Sequence, residues 1–159
     1  MGQELSNLRF ETFDMMHFED FQSLAYRAIF ERGYVDVDFN KQHWNIHLKN
    51  IVSLNSNIIR LITVDKELIG FYIIQLHNLP WNHRTHAIFT LMHIVPKFRN
   101  LQTYEIMFKD AEYMMHENKV QVIQTTNESI LLPENDKMTL LHNNGYNHTE
   151  QVWEAKRNV

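Results

Sequence analysis

The sequence predicts a single α/β domain in which helices flank a mixed β-sheet. Several segments are short apolar runs or alternate apolar with polar residues, as strands do, and others repeat apolar residues every three or four positions, as helices do. One long helical segment lies between two apolar runs, an order that favours a central parallel β-α-β crossover. No linker, repeat or low-complexity tract divides residues 1–159, so one domain is expected to span the chain.

Composition excludes several classes of protein. With 44% hydrophobic residues, four Gly and three Pro, the chain can build a large core and is not a disordered or loop-dominated protein. Since it has no Cys, disulfides, thiolate zinc sites and iron–sulfur clusters are excluded. The net charge of −4 is too mild to indicate a nucleic-acid or membrane partner, and neither an export signal nor a long apolar run is present. We therefore expect a cytoplasmic protein.

The first third of the chain predicts one strand and two helices. Apolar and polar residues alternate between Leu8 and Phe13, which is the pattern of a half-buried strand. An apolar stripe from Phe18 to Arg32 predicts a helix, and Gly33 stands where a helix ends. A second helix is predicted to begin near Asn40, which can cap free amide groups, and to end among residues 55–57.

The middle of the chain predicts three antiparallel strands. Two β-rich runs, Ile58–Val64 and Leu68–Leu76, are separated only by the polar residues 65–67, so they form a hairpin. A third run, His86–Val95, follows a loop, and Pro96 ends its pairing because proline has no backbone donor.

The last third contains the crossover. A helix is predicted after Asn100, with apolar residues on one face and charged residues on the other. A strand at Lys119–Thr125 follows by a short link, so it should run parallel to the strand before the helix.

A short helix and a strand should complete the chain. Asn135 or Asp136 could cap this helix, and Gly145 should end it. A final strand is expected from Tyr146 to Ala155.

Three segments of the chain carry a resemblance to a known family. They are VDKELIGF at 64–71, with a Gly after the turn, IVPKFR at 94–99, and LLHNNGY at 140–146, a short helix ending in Gly-aromatic. With the order β-α-α-β-β-β-α-β-α-β, they make the whole chain resemble the GNAT-type N-acyltransferase superfamily. The resemblance implies a GNAT-like mixed sheet flanked by helices.

The resemblance also implies a site for acetyl coenzyme A in a gap between two splayed parallel strands. The pyrophosphate would lie over a helix N-terminus, where free amides and the peptide dipoles attract anions. No carboxylate occurs between Leu68 and Tyr104, so this face should attract anions, unless the sheet simply avoids buried acids. The residues expected to bind the coenzyme are Ile94, Val95, Arg99, Asn100, Leu101, Gln102, Thr103, Tyr104 and Asn135.

The chain departs from the family pattern at two small-residue positions. Gln102 and Tyr104 stand where the family uses Gly and Gly or Ala, and their side chains would enter the volume of the phosphates unless Tyr104 turns into the core. The Asn that the family places before the last short helix falls on Glu134, with Asn135 one position away.

The catalytic groups also depart from the family pattern. Leu141 replaces the Tyr that reprotonates the leaving thiolate in many members, and leucine cannot donate a proton. The usual Glu base is absent, so His93, or a water bound to His86, would accept the proton of the amine. The alternative interpretation of His93, which a histidine in a strand favours, is a side chain satisfied by hydrogen bonds. The amide of Val95 or of its neighbour would stabilise the oxyanion.

Two functions remain open at this stage. The first is transfer of acetyl from acetyl coenzyme A to an amine, of a small molecule or a protein, by direct attack. The second is a catalytically inactive GNAT-fold protein that binds another protein or forms a homo-oligomer. The missing glycines and the Asn-rich, Gly-poor composition, similar to some phage-encoded relatives, favour the second and would place the protein in a virion or in host cytoplasm.

No metal site is predicted. Two histidine pairs, His43 with His47 and His83 with His86, have helical or near-helical spacing, but neither has an evident third ligand. Ten His in 159 residues account for such pairs by chance.

Overall fold

The computed structural model describes residues 7–78, 81 and 84–147, and its core is a five-stranded mixed sheet. These five strands lie side by side in the order in which they occur in the sequence; the first three pairs are antiparallel and the last pair is parallel. The strands are β1 (Leu8–Thr12), β2 (Asn57–Val64), β3 (Glu67–Asn78), β4 (Thr85–Ile94) and β5 (Val122–Gln124). The predicted α/β class and the parallel crossover are confirmed.

In the described part of the chain, four α-helices cover the two faces of the sheet. They are α1 (Phe18–Glu31), α2 (Lys41–Ser53), α3 (Leu101–Glu117) and α4 (Glu134–Asn143). Short 3₁₀ turns occur at Met15–His17, Pro96–Phe98 and Asn127–Ser129. Helices α1 and α2 pack on one face, and α3 and α4 pack on the other.

Strand β3 shows how the alternation of side chains divides the core. Phe71 is fully buried against Phe21 of α1 on one face. The next residue, Tyr72, is fully buried with Met107 of α3 on the other. Successive side chains of a strand point to opposite faces. The sequence of a strand that is buried on both faces is therefore a continuous run of apolar residues.

Local signals in the sequence act as expected. Asp65 and Lys66 have φ of 50° and 69°, the two positive values of a tight hairpin turn between β2 and β3. Asn40 caps α2, because its side chain accepts a hydrogen bond of 3.0 Å from the His43 amide. Gly70 lies so close to β4 that a Cβ there would be 2.6 Å from the carbonyl oxygen of His93.

Two predictions about the end of the chain were wrong. Strand β5 is three residues long rather than seven, since Lys119 has φ of 55° and turns the chain after α3. Helix α4 begins at Glu134 with Pro133 before it, because the fixed φ of proline suits the extended residue ahead of a helix. Asn135 and Asp136 therefore lie inside the first turn and do not cap it.

The predicted final strand falls mostly outside the described residues. Tyr146 and Asn147 are described and are not in a strand. Residues 148–155 lie outside the part of the chain that the structure describes.

Candidate functional site

The sheet opens between β4 and β5. The two strands pair only over His86–Ile88 and Val122–Gln124. Strand β4 carries one extra residue, Thr90, in its pairing with β3, and such a bulge bends a strand. From Phe89 to Ile94, no described strand pairs with the side of β4 that faces away from β3, and we name this side the open edge of β4.

Backbone hydrogen bonds determine which peptide groups face the open edge. The Val95 amide donates to the carbonyl oxygen of Ile69 at 2.8 Å, so this amide faces β3. It is not free to stabilise an oxyanion, which corrects the expectation for Val95. Peptide groups alternate in direction along a strand, so those of Ile94 and Met92 face the open edge.

The N-terminus of α3 lies directly beyond the open edge. The Asn100 side chain caps the helix by accepting hydrogen bonds from the Thr103 amide at 2.9 Å and the Thr103 hydroxyl at 3.2 Å. The amides of Leu101 and Gln102 have no partner within the helix, as in any first helical turn. Gln102 is exposed and lies in helical backbone, so its side chain imposes no strain there. An anion could therefore bind at these two amides.

Tyr104 turns into the core rather than toward an anion at the helix end. Its side chain is fully buried, and its hydroxyl accepts a hydrogen bond of 3.3 Å from the Leu131 amide. Burial raises the pKa of this hydroxyl above its usual value. The ring thus fills the space between α3 and the chain that follows β5.

Arg32 bridges the gap where the strands diverge. One guanidinium nitrogen donates to the Ala28 carbonyl at 2.9 Å, and the other donates to the carbonyls of Met92 and of Ser129, the latter at 2.9 Å. Burial lowers the pKa of this guanidinium. The side chain thereby connects α1, the open edge of β4 and the segment after β5.

Arg99 caps the last carbonyl of the open edge. Its Nε and one terminal nitrogen donate to the Ile94 carbonyl at 3.0 and 2.8 Å. The same terminal nitrogen pairs with a Glu31 oxygen at 2.7 Å. The guanidinium therefore lies between the end of β4 and α1.

His93 is the buried titratable group of the site. It is 0% exposed, its Nε2 lies 3.9 Å from a Glu31 oxygen, and neither ring nitrogen has a hydrogen-bond partner. Burial, opposed by Glu31 and reinforced by Arg32 and Arg99, lowers its pKa to about 4. The interpretation of His93 as a hydrogen-bonded strand residue is therefore wrong, and the imidazole is neutral at pH 7.

The depressed pKa of His93 predicts a loss of stability in acid. The folded pKa of about 4 lies below the ordinary value of 6.5, so between these pH values the unfolded chain binds more protons. The free energy of unfolding should consequently fall by about 3 kcal/mol as the pH drops from 6.5 to 4 and should not depend on this group above pH 7. Urea unfolding of the parent and of His93→Gln at pH 7 and pH 4.5 measures this, with exposed His142→Gln as control. If the free energy of unfolding falls between pH 7 and pH 4.5 by the same amount in His93→Gln as in the parent, the prediction is contradicted.

Among the described residues, the remaining expected site residue, Asn135, makes no hydrogen bond to the open edge. Asn135 is exposed on α4, and the contact that the structure gives it is a backbone one, its carbonyl accepting from the Thr139 hydroxyl at 3.0 Å. The structure instead brings Glu31, Arg32 and Ser129 to the site, none of which sequence reasoning identified. The position of Arg32 at the end of a helix, just before Gly33, was the one available signal.

Other features of the described residues are simpler. They contain no group of three or more side chains able to hold a metal ion. Within the same ranges, no helix has the length and apolar character needed to span a bilayer. A cleft of about 700 Å³ lies beside β5, lined by Ile88, residues 121–126 and residues 144–147.

Comparison with solved structures identifies the fold. No protein-family model and no curated protein sequence matches the chain. A GNAT family acetyltransferase of Staphylococcus aureus superposes with a TM-score of 0.69 at 14% identity, over 95% of this chain and 99% of that one. A ribosomal-protein-alanine N-acetyltransferase of Brucella melitensis gives 0.71 at 10% identity, over 95% and 99%.

A third structure contains a ligand. AAC(6')-Iy, in complex with the bisubstrate analogue CoA-S-monomethyl-acetylneamine, gives a TM-score of 0.72 at 12% identity, over 97% of this chain and 100% of that one. All three comparisons cover nearly the full length of both chains. The chain therefore has the fold of the GNAT family of acetyltransferases.

Proposed function

We propose that this chain is an N-acyltransferase that moves an acetyl group from acetyl coenzyme A to an amine. The observation that carries the proposal is the open edge of β4, which leads directly to the N-terminus of α3. An unpaired strand edge offers peptide groups to an amide-bearing chain, and a helix N-terminus offers amides to phosphate. A thioester of coenzyme A carries both chemical groups.

The peptide groups of the site fit the coenzyme, whereas the side chain of Arg32 blocks its entry. The amides of Leu101 and Gln102 would hold the pyrophosphate, with Arg99 as the nearby positive charge. The open edge of β4 would hold the amide-bearing arm. Arg32 crosses the gap by its bonds to Met92 and Ser129, so it must move before that arm can enter. Acetyl coenzyme A would supply the activated acyl group.

The transfer needs little chemistry from the protein. The amine nitrogen attacks the carbonyl carbon, a C–N bond forms, the C–S bond breaks, and the thiolate leaves with the electron pair. The Ile94 amide, which faces the open edge, is the proposed donor to the oxyanion. His93, neutral at pH 7 with two free ring nitrogens, is the proposed acceptor of the amine proton. Leu141 cannot protonate the thiolate, which must take its proton from water.

The cleft beside β5 is the proposed entry for the amine. It reaches Ile88, the residue at which β4 and β5 diverge, and from there an amine would continue along the open edge for about 20 Å to the Ile94 amide. The oxygens of the Thr125 hydroxyl and the Asn144 side chain are buried without partners, and both residues line this cleft. Such oxygens can accept hydrogen bonds from an ammonium or amino group.

Calorimetric titration with coenzyme A tests the binding half of the proposal. We expect saturable one-to-one binding, weakened about tenfold in Arg99→Ala by loss of about 1.5 kcal/mol of charge-assisted interaction. Lys109→Ala, an exposed lysine farther along α3, is the control for lost charge and should bind as the parent does. Thiol release from acetyl coenzyme A in the presence of a panel of amines then tests the transfer. Failure of the parent and both variants to bind, together with failure of a folded Arg32→Ala variant in which the gap is not bridged, would refute the proposed function.

A catalytically inactive binding protein is the second candidate. The observation that favours it is that arginines already occupy both carbonyls of the open edge, Met92 by Arg32 and Ile94 by Arg99. In this case the fold would serve contact with another protein, as in a virion or an infected host cell. Absence of coenzyme binding by the parent and by Arg32→Ala, with both proteins folded, would favour this candidate.

A further inference from the structure

The contacts of Arg32 differ from those of an ordinary surface arginine. Its three hydrogen bonds all go to backbone carbonyls, and these belong to three separate segments of the chain. Two of them, Met92 and Ser129, lie 37 positions apart in sequence and on opposite sides of the gap between β4 and the chain after β5. A single side chain thus holds the two sides together.

The charge of Arg32 is poorly compensated in this position. Within the described ranges, no carboxylate lies within 4.0 Å of its guanidinium, since Glu31 pairs with Arg99 instead. Its Nε is buried without a hydrogen-bond partner. A partly buried cation held only by carbonyl dipoles is a weaker arrangement than a paired one, because desolvation is not offset by an opposite charge. The contact is therefore suited to being broken and re-formed.

We propose that Arg32 is a strap that holds the gap closed in the free protein and must release Met92 and Ser129 before a coenzyme arm enters. This inference rests on the proposed function, since it concerns access to the same gap. The strap lowers the apparent affinity for coenzyme, because binding must first shift the population toward the released state. If nine-tenths of the molecules are closed, the apparent affinity falls about tenfold.

The test compares coenzyme A binding by the parent, Arg32→Ala and Arg32→Lys. We expect Arg32→Ala to bind about tenfold more tightly than the parent, as removal of a closed state that is nine-tenths populated requires. Arg32→Lys keeps the charge but loses the planar fork that bonds two carbonyls, so its affinity should be intermediate. Arg27→Ala removes an exposed positive charge from the same helix and corrects for the loss of general attraction to an anion.

Hydrogen exchange of the free protein supplies a second readout. The amides of residues 127–131 should exchange faster in Arg32→Ala than in the parent or in Arg27→Ala, because the bond to Ser129 is lost. Thermal melts confirm that each variant is folded. If Arg32→Ala does not fold, the coenzyme A affinity of Arg32→Lys and the exchange rates of its amides at 127–131 test the strap in its place.

The outcomes separate the two proposals. Parent binding that Arg32→Ala does not improve relative to Arg27→Ala overturns the strap and leaves the proposed function standing. Binding by Arg32→Ala but not by the parent supports both. Absence of binding by every folded variant overturns both the proposed function and the strap as its gate.

Discussion

Asp110→Ala is expected to lower the free energy of unfolding by about 3–5 kcal/mol, the cost of leaving a buried charge without its partner. Asp110 of α3 accepts hydrogen bonds from the Arg60 guanidinium at 2.8 and 3.0 Å and from the Tyr72 hydroxyl at 2.5 Å. The side chains of Arg60 and Asp110 are only 13% and 11% exposed. Removal of the carboxylate therefore strands a cation and a hydroxyl in the interface between α3 and the sheet.

The pKa shifts of Arg60 and Tyr72, the two partners of Asp110, agree with this arrangement. The hydrogen bond to Asp110 raises the pKa of Arg60, against the effect of burial. Burial, followed by the bond to Asp110, raises the pKa of the Tyr72 hydroxyl. Each group thus keeps its proton throughout the range in which the protein would be studied.

Urea unfolding monitored by circular dichroism measures the loss. Glu112→Ala is the matched control, because Glu112 lies two residues away on α3, is 65% exposed and forms an ion pair with exposed Lys109. Its replacement should change the free energy of unfolding by no more than about 0.5 kcal/mol. A loss below 1 kcal/mol in Asp110→Ala would show that the cluster is solvated in solution.

The elements of the fold could be predicted because each carries a local signal. The hairpin at Asp65 and Lys66 and the caps at Asn40 and Asn100 depend on residues adjacent in sequence. The crossover follows from the order of the elements and the known hand of such connections. The start of α4 was misjudged because Pro133, Asn135 and Asp136 are all compatible with a helix N-terminus.

Sequence reasoning could predict only those parts of the site that backbone groups form. The N-terminus of α3 follows from the helix itself, and the splayed strands were expected from the family resemblance. The side chain that crosses the gap could not be predicted from the sequence. Arg32 donates to the carbonyls of Met92 and Ser129, which are 60 and 97 residues away in sequence. Neither contact leaves a pattern in the sequence, since both partners are backbone carbonyls, which every residue has.

Tyr104→Ala is expected to lower the free energy of unfolding by about 3–5 kcal/mol, because it opens a cavity in a packed core. Tyr104 is fully buried in the same core cluster as Met92, Met107 and Phe108, and its hydroxyl accepts a hydrogen bond from the Leu131 amide. Melting temperatures followed by circular dichroism should fall by roughly 10 °C for a domain of this size.

Tyr104→Phe is the control, since it removes only the hydroxyl and should cost about 1 kcal/mol. A small loss of unfolding free energy in Tyr104→Ala would mean that neighbouring side chains collapse into the space.

The burial of Tyr104 also explains a departure from the family pattern, in which a small residue occupies this position. Because the core of this chain is built around the ring, a small residue cannot be restored there without loss of stability. Under the proposed function, we therefore expect room for a coenzyme to come from movement of Arg32 rather than from truncation of Tyr104.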